Sequence, residues 1–229
     1  MKRTLAIGDI HGCSKAFETL LKEVKPSSDD VLVTLGDYVD RGPDSKAVLD
    51  RLIHLEGETT LVPLLGNHEV LFLDAWKSGT LDSPWMRVGG RETLQSYAPG
   101  DELSWVYLPE AHHEFLTERC VRYHETDTHF FVHGGAEPTV PLADQTDDWL
   151  FWTRYETSEP HVSGKTMVCG HSAQRNGLPL RTAKSICLDS WVYGEGWLSC
   201  LIIEFNLVIQ ANQRGQVRRI GLDHVPEMS

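Results

Sequence analysis

Three apolar runs in the N-terminal third of this chain each stop at a glycine-flanked cluster of acids, amides and imidazoles. The runs are Thr4 to Gly8, Val31 to Leu35 and Thr59 to Leu65. The clusters are Gly8-Asp9-Ile10-His11-Gly12, Gly36-Asp37-Tyr38-Val39-Asp40-Arg41-Gly42 and Gly66-Asn67-His68-Glu69. Between the first two runs, Phe17, Leu20, Leu21 and Val24 form one helical stripe that ends at Pro26-Ser27-Ser28-Asp29-Asp30. Pro43 and Asp44 open a second helix, through about Leu55. This is strand-helix-strand repeated. Continuous apolar strands of this kind are buried on both faces, and right-handed crossovers align them in parallel, so all three clusters fall on one edge of one sheet.

The rhythm breaks from about Asp74 to Glu118, which is richer in Trp, Gly and helix formers and reads as a helical cap inserted into a single domain spanning 1–229. Strands resume at Val121 to Glu125 and His129 to Val132, the latter ending at His133-Gly134-Gly135. Further runs cover Thr166 to Cys169, which ends at Gly170-His171, then Ser185 to Leu188, Trp197 to Phe205 and Leu207 to Asn212. Their short links point to antiparallel pairing in the second half. The expected class is α/β (α+β), two sheets packed between helices.

The chain has 229 residues, enough for a full hydrophobic core in one domain. Its 21 Lys and Arg face 33 Asp and Glu, and a formal charge of −12 disfavours nucleic-acid polymers and anionic membranes. Bound divalent cations would offset part of it. After Met1-Lys2-Arg3 and Thr4, only Leu5, Ala6 and Ile7 precede Gly8-Asp9, too few for a secretory signal, and no run is long enough to span a bilayer. Five scattered cysteines without a C-x-x-C spacing fit reduced thiols in a cytoplasm. Cys169 and Cys187 read as small buried strand residues, and Cys13, without a base beside it, as structural.

The clusters supply the ligand chemistry of a pair of divalent cations. Asp9 and His11, two apart at a strand end, can leave one face together and grip one ion. Asp37 then bridges two ions, as a shared carboxylate does in binuclear hydrolytic centres. Asn67, His133 and His171, each just beyond a strand, complete the second ion's shell. Carboxylate, amide and imidazole together accept manganese, iron or zinc. The remaining histidines, His54, His112, His113, His124, His129, His161 and His224, sit in no such pattern and read as surface or packing residues.

These motifs, with His133-Gly134-Gly135, resemble those of the metal-dependent phosphoprotein phosphatases, of calcineurin-like metallophosphoesterase fold. Gly89-Gly90-Arg91-Glu92-Thr93-Leu94-Gln95-Ser96-Tyr97, Trp152-Thr153-Arg154 and Gly170-His171 are similar to bacterial and phage lambda-type members. The resemblance implies a β-sandwich with flanking helices, the ligand set Asp9, His11, Asp37, Asn67, His133 and His171, and manganese as the metal. It also implies hydrolysis of phosphoserine or phosphothreonine in proteins, or of small phosphomonoesters, by a hydroxide held between the ions. Diadenosine tetraphosphate hydrolysis is the alternative, since the same motifs serve it, and Lys77, Arg87 and Arg91 are candidate contacts for its phosphates. A non-catalytic binding module is disfavoured because no ligand and no proton donor is missing.

Within that reading His68 is the proton donor to the leaving oxygen, since it cannot ligate its neighbour Asn67's ion without bending the loop. Asp40 orients it. Arg41 offers forked bonds to phosphate, Arg154 does so on a shorter pattern, and Glu69 is an acceptor that stabilises its loop. The chain departs from bacterial relatives at Asp189-Ser190-Trp191, where they carry Asp-Thr-Gly; Trp191 there either packs or offers a stacking face to an aromatic group.

Overall fold

The computed structural model describes residues 2–100, 102–155 and 159–228. Strands β1 (Thr4–Ile7), β2 (Val31–Thr34) and β3 (Thr60–Pro63) pair in parallel, joined by helices α1 (Ser14–Val24) and α2 (Ser45–Leu55). This matches the expected crossovers. The same sheet continues on the other side of β1 through β9 (Leu198–Ile202), β10 (Leu207–Ala211) and β11 (Val217–Gly221), all antiparallel, giving the order β11-β10-β9-β1-β2-β3.

A second sheet has the order β4-β5-β6-β8-β7, built from β4 (Tyr123–Glu125), β5 (His129–Val132), β6 (Thr166–Cys169), β7 (Leu180–Arg181) and β8 (Ser185–Cys187). Here the antiparallel expectation needs correction: β5, β6 and β8 run parallel to one another. The reason is connection length. Residues 133–165 and 170–184 are long enough for the crossover that parallel neighbours require, whereas a short link permits only a hairpin.

Strand alternation distributes the core into layers. Ala6, Val33 and Leu35 of the first sheet meet Phe131, Val168, Ile186 and Leu188 of the second, so the two sheets form a sandwich. On the outer face of the first sheet, Leu5, Ile7 and Leu32 pack beneath Phe17, Leu20, Val48 and Leu52 of the helices. On the outer face of the second, Phe130, Val132, Cys169 and Cys187 are covered by Leu142, Leu150 and Phe151. Every strand that ends at a cluster is therefore wedged between two apolar layers, and its polar terminus emerges at a rigid edge.

The helical segment begins earlier than Asp74. Helix α3 (Asn67–Ser78) starts inside the third cluster, followed by α4 (Gly90–Tyr97). Phe72, Trp85, Leu94 and Phe115 of this segment share one apolar cluster with Leu5 and Ile7, so the segment is packed into the body. Among the described residues no helix is long and apolar enough to cross a membrane. All five cysteines are free; burial pushes the Cys13 thiol up to about 12, which keeps it protonated and inert.

Candidate metal centre and phosphate site

Asp37 stands at the middle of the convergent loops. One carboxylate oxygen lies 3.4 Å from His11 Nε2 and 3.9 Å from His68 Nε2, and the other lies 3.4 Å from His133 Nε2. Two donor groups result, His11 with Asp37 and His68, and Asp37 with His133 and His171; within each, the candidate atoms lie within 4.8 Å of one another. Asp37 belongs to both. Asn67 Oδ1 joins the second group, 3.0 Å from His133 Nε2 and 2.9 Å from His171 Nδ1. Asp9 reaches it by accepting the His171 backbone N–H at 2.9 Å. All six residues expected as ligands thus come to one place, with His68 at its edge.

The protonation pattern suits cations. His11 and His133 hold backbone carbonyls of Val39 and Leu35 through Nδ1, at 2.9 and 2.7 Å, so Nδ1 carries the proton and the Nε2 lone pairs face Asp37. Burial pushes both imidazoles down, and burial with His133 nearby pushes His171 down to about 4, leaving all three neutral and able to ligate. Burial opposes ionisation of Asp37; positive charge on the surrounding imidazoles, His133 first and then His68, His11 and His171, would pull its carboxyl below the usual range, a charge that bound cations supply where the rings are neutral. With Nδ1 of His133 donating to Leu35, its Nε2 lone pair and Asn67 Oδ1 face each other at 3.0 Å. Asp9 and Asp189 add further buried acid: burial, then Asp189 and Asp37, push Asp9 well up, and burial raises Asp189 to about 6 against the Trp191 N–H. Convergent lone pairs and excess buried negative charge are what divalent cations fit.

Glycine makes the approach possible at two points. A Cβ on Gly66 would collide with an Asp37 carboxylate oxygen, and one on Gly170 with an Asp9 carboxylate oxygen. Around them, the backbone of His11 (φ 46°), Asp37 (52°), Asp40 (73°), Arg41 (68°), His171 (63°) and Trp191 (62°) is left-handed. These are six of the eight non-glycine residues with positive φ among the described residues. Such conformations cost roughly 1–3 kcal/mol each and concentrate where surrounding structure enforces them for function.

Glu69, fully buried, holds the turn at Asp37. Its two oxygens accept the backbone N–H groups of Asp37 (2.7 Å), Tyr38 (2.7 Å), Gly66 (3.0 Å) and Val39 (3.3 Å), tying the second and third clusters together. Burial and the charge of Asp37 push its carboxyl up to about 8, against these four donors, which favour the ionised form.

His68 Nδ1 lies 2.6 Å from Asp40 Oδ2, and its backbone N–H donates to Asp37 at 3.1 Å. Asp40, a fully buried acceptor, implies that Nδ1 carries the proton and leaves Nε2 facing the centre. Burial works against the imidazolium, yet Asp37 and Asp40 outweigh it and raise its proton affinity. Sequence reasoning missed what holds Asp40: Trp85 Nε1–H donates to both its oxygens at 2.9 Å, and Thr93 Oγ1–H donates at 2.7 Å. Both come from the helical segment. Thr93 was visible in the Gly89 to Tyr97 motif, whereas Trp85 carried no local signal.

Arg41 Nη1 lies 3.4 Å from His11 Nε2, and its guanidinium sits 4.6 Å over the Tyr193 ring, itself edge-on to His11. Arg41, Arg154 and His171 line one cavity of about 390 Å³. Of the cap cations, Arg87 shares a separate cavity with Arg41, while Lys77 and Arg91 line neither. The packing histidine His112 is buried between Tyr97 and Asp50, and His54, His113 and His224 have exposed side chains.

A two-sheet sandwich carrying an Asp, His and Asn cluster at its strand ends defines a metallophosphoesterase. The chain belongs to the calcineurin-like phosphoesterase family, whose profile matches residues 2–194. Members of this family use divalent metals, and the Asp37-centred groups can hold them. A symmetrical bis(5'-nucleosyl)-tetraphosphatase of Acidovorax sp. (strain JS42) is 43% identical over 137 residues, covering 58% of this chain and 43% of the relative. Serine/threonine-protein phosphatase 1 of Salmonella typhimurium is 38% identical over 85 residues, 37% of either chain. The chain thus spans about half or less of the length of these relatives. A crystal structure provisionally described as a diadenosine tetraphosphatase superposes with a TM-score of 0.67 at 25% identity, over 95% of this chain and 92% of the other.

Proposed function

We propose that this chain is a metal-dependent hydrolase of dinucleoside polyphosphates, cleaving a tetraphosphate bridge symmetrically. The observation that carries the reading is the likeness to symmetrical tetraphosphatases, joined to an arginine-lined cavity that opens beside His171. This reverses the order of substrates expected from motifs alone, where protein phosphoserine and phosphothreonine came first. Phosphomonoester hydrolysis, including that of phosphoproteins, is the second reading, favoured by the match to the Salmonella phosphatase.

Asp9, His11 and Asp37 would hold one divalent cation, and Asp37, Asn67, His133 and His171 the other, with manganese the expected metal. When bound, these ions lower the pKa of water toward neutrality and neutralise phosphate charge. Arg41 and Arg154 fork onto phosphate oxygens and meet the charge that grows in transfer. His68 gives its Nε2 proton to the leaving phosphate oxygen, and Asp40, gripped by Trp85 and Thr93, keeps the ring aimed. That grip also supports reading the helical segment as an insertion within one domain, and the free thiols support a cytoplasmic setting.

Chromatography of the products from diadenosine tetraphosphate with manganese added back after chelation tests the proposal. Two molecules of ADP are expected. ATP plus AMP, or no cleavage while a phosphopeptide is dephosphorylated, would reject the symmetrical reading.

A further inference from the structure

The cavity beside His171 holds more guanidinium than one phosphoryl group needs. Arg41, Arg154 and Arg175 all line it, together with Tyr193 and Gln174. Among the described residues none of the three arginines has a carboxylate within ion-pair distance, in a chain with a net charge of −12. Arg41 stands next to His11, at the end where phosphorus is attacked.

Arg175 is held from a different side. Its guanidinium lies 5.8 Å over the Trp191 ring. The turn that carries it is pinned to the Asp189 strand end, with Gln174 N–H donating to the Asp189 carbonyl at 2.9 Å and Gly177 N–H closing onto the Gln174 carbonyl at 2.9 Å. Trp191 keeps φ at 62°, a conformation glycine adopts without strain, and its ring rests against Gly194. A large ring at a position whose backbone favours glycine points to a side chain that is used.

We infer that Arg175, positioned by Trp191, recognises a second phosphoryl group linked to the scissile one, so that this cavity selects polyphosphate chains over isolated phosphomonoesters. The inference rests on the proposed reading for its dinucleotide substrate, but the chemistry it names is any linear chain of two or more phosphoryl groups. One phosphoryl group has three non-bridging oxygens, which the cations together with Arg41 and Arg154 would saturate. A third planar fork finds bidentate partners only on the next phosphate.

The test compares the wild type with Arg175→Gln at a buffered free manganese concentration, using as control Arg214→Gln, an exposed residue of the turn between β10 and β11 that does not line the cavity. Two ratios are read. The first is kcat/KM for diadenosine tetraphosphate over that for p-nitrophenyl phosphate. The second is the inhibition constant of orthophosphate over that of tripolyphosphate, with the aryl phosphate as substrate. Arg175→Gln is expected to lower each ratio by about 10- to 100-fold, the factor of a lost charge-assisted hydrogen bond, acting through KM. Trp191→Gly should lower them in the same direction through KM, and the control should move neither. If the wild type does not cleave the dinucleotide, the proposed substrate fails while the inhibition ratio still decides the role of Arg175. Equal inhibition ratios in wild type and Arg175→Gln overturn the inference whatever the substrate.

Discussion

Replacing Glu69 with glutamine probes how two distant clusters are held at one site. Each carboxylate oxygen accepts two backbone N–H groups: Oε1 from Tyr38 and Val39, Oε2 from Asp37 and Gly66. A glutamine keeps one oxygen and must turn its NH2 toward the other pair, so two buried N–H donors lose their acceptor. Each orphaned donor costs about 1–3 kcal/mol, a gross loss of roughly 2–6 kcal/mol. Relief of the buried charge, felt through Asp37, offsets part of it, leaving a net loss of about 2–4 kcal/mol. Asp37 carries left-handed backbone (φ 52°) that this anchor enforces, so manganese affinity should fall as well. Urea unfolding of metal-stripped protein at pH 9, above the raised value of the Glu69 carboxyl, reads the first effect, and calorimetric titration with manganese the second. Stability within about 0.5 kcal/mol of wild type, with unchanged metal affinity, would mean that Glu69 is not the anchor, since that is the usual size of an inert substitution.

His68→Asn should retain metal content yet lose about 10²–10⁴ in kcat on alkyl phosphates, with a smaller loss on p-nitrophenyl phosphate, whose leaving group needs no proton. Undiminished alkyl phosphate hydrolysis removes His68 from the donor role. Far from the site, Asp30 is buried and accepts Arg3 Nε, Arg3 Nη2 and the Ser27 N–H and Oγ–H, of which the Arg3 bond is the strongest influence, so its carboxyl is held well below its usual range. A depressed folded pKa stabilises above the unfolded value of about 3.9 and that contribution is lost as pH falls below it. Asp30→Asn should therefore cost about 1–3 kcal/mol at pH 7, and the gap to wild type in urea midpoint should narrow from pH 5 toward pH 2. A gap that widens on acidification contradicts the assignment.

The strand-end clusters were legible because short apolar runs stop at glycine followed by an acid or amide, and burial on both faces leaves such strands one place to end. Asp9, His11, Asp37, Asn67, His133 and His171 could all be placed beside one another on that ground. What resisted reading depends on partners remote in sequence. Asp40 is held by Trp85, 45 residues on, and by Thr93, 53 residues on, and no periodicity encodes those contacts. Asp189 lay in a segment noticed only for Trp191, yet it is buried in the same acidic group as Asp9. Strand β11 (Val217–Gly221) escaped because its paired Arg218 and Arg219 break the apolar pattern at a sheet edge. The parallel pairing of β5, β6 and β8 was hidden because their connections contain little regular structure.

Diffraction from crystals grown with manganese, collected at the manganese edge, shows whether a pair of cations sits on Asp37. Two anomalous peaks should flank the Asp37 carboxylate, one beside Asp9 and His11 and the other beside Asn67, His133 and His171. A single peak, or peaks away from Asp37, would contradict that pairing.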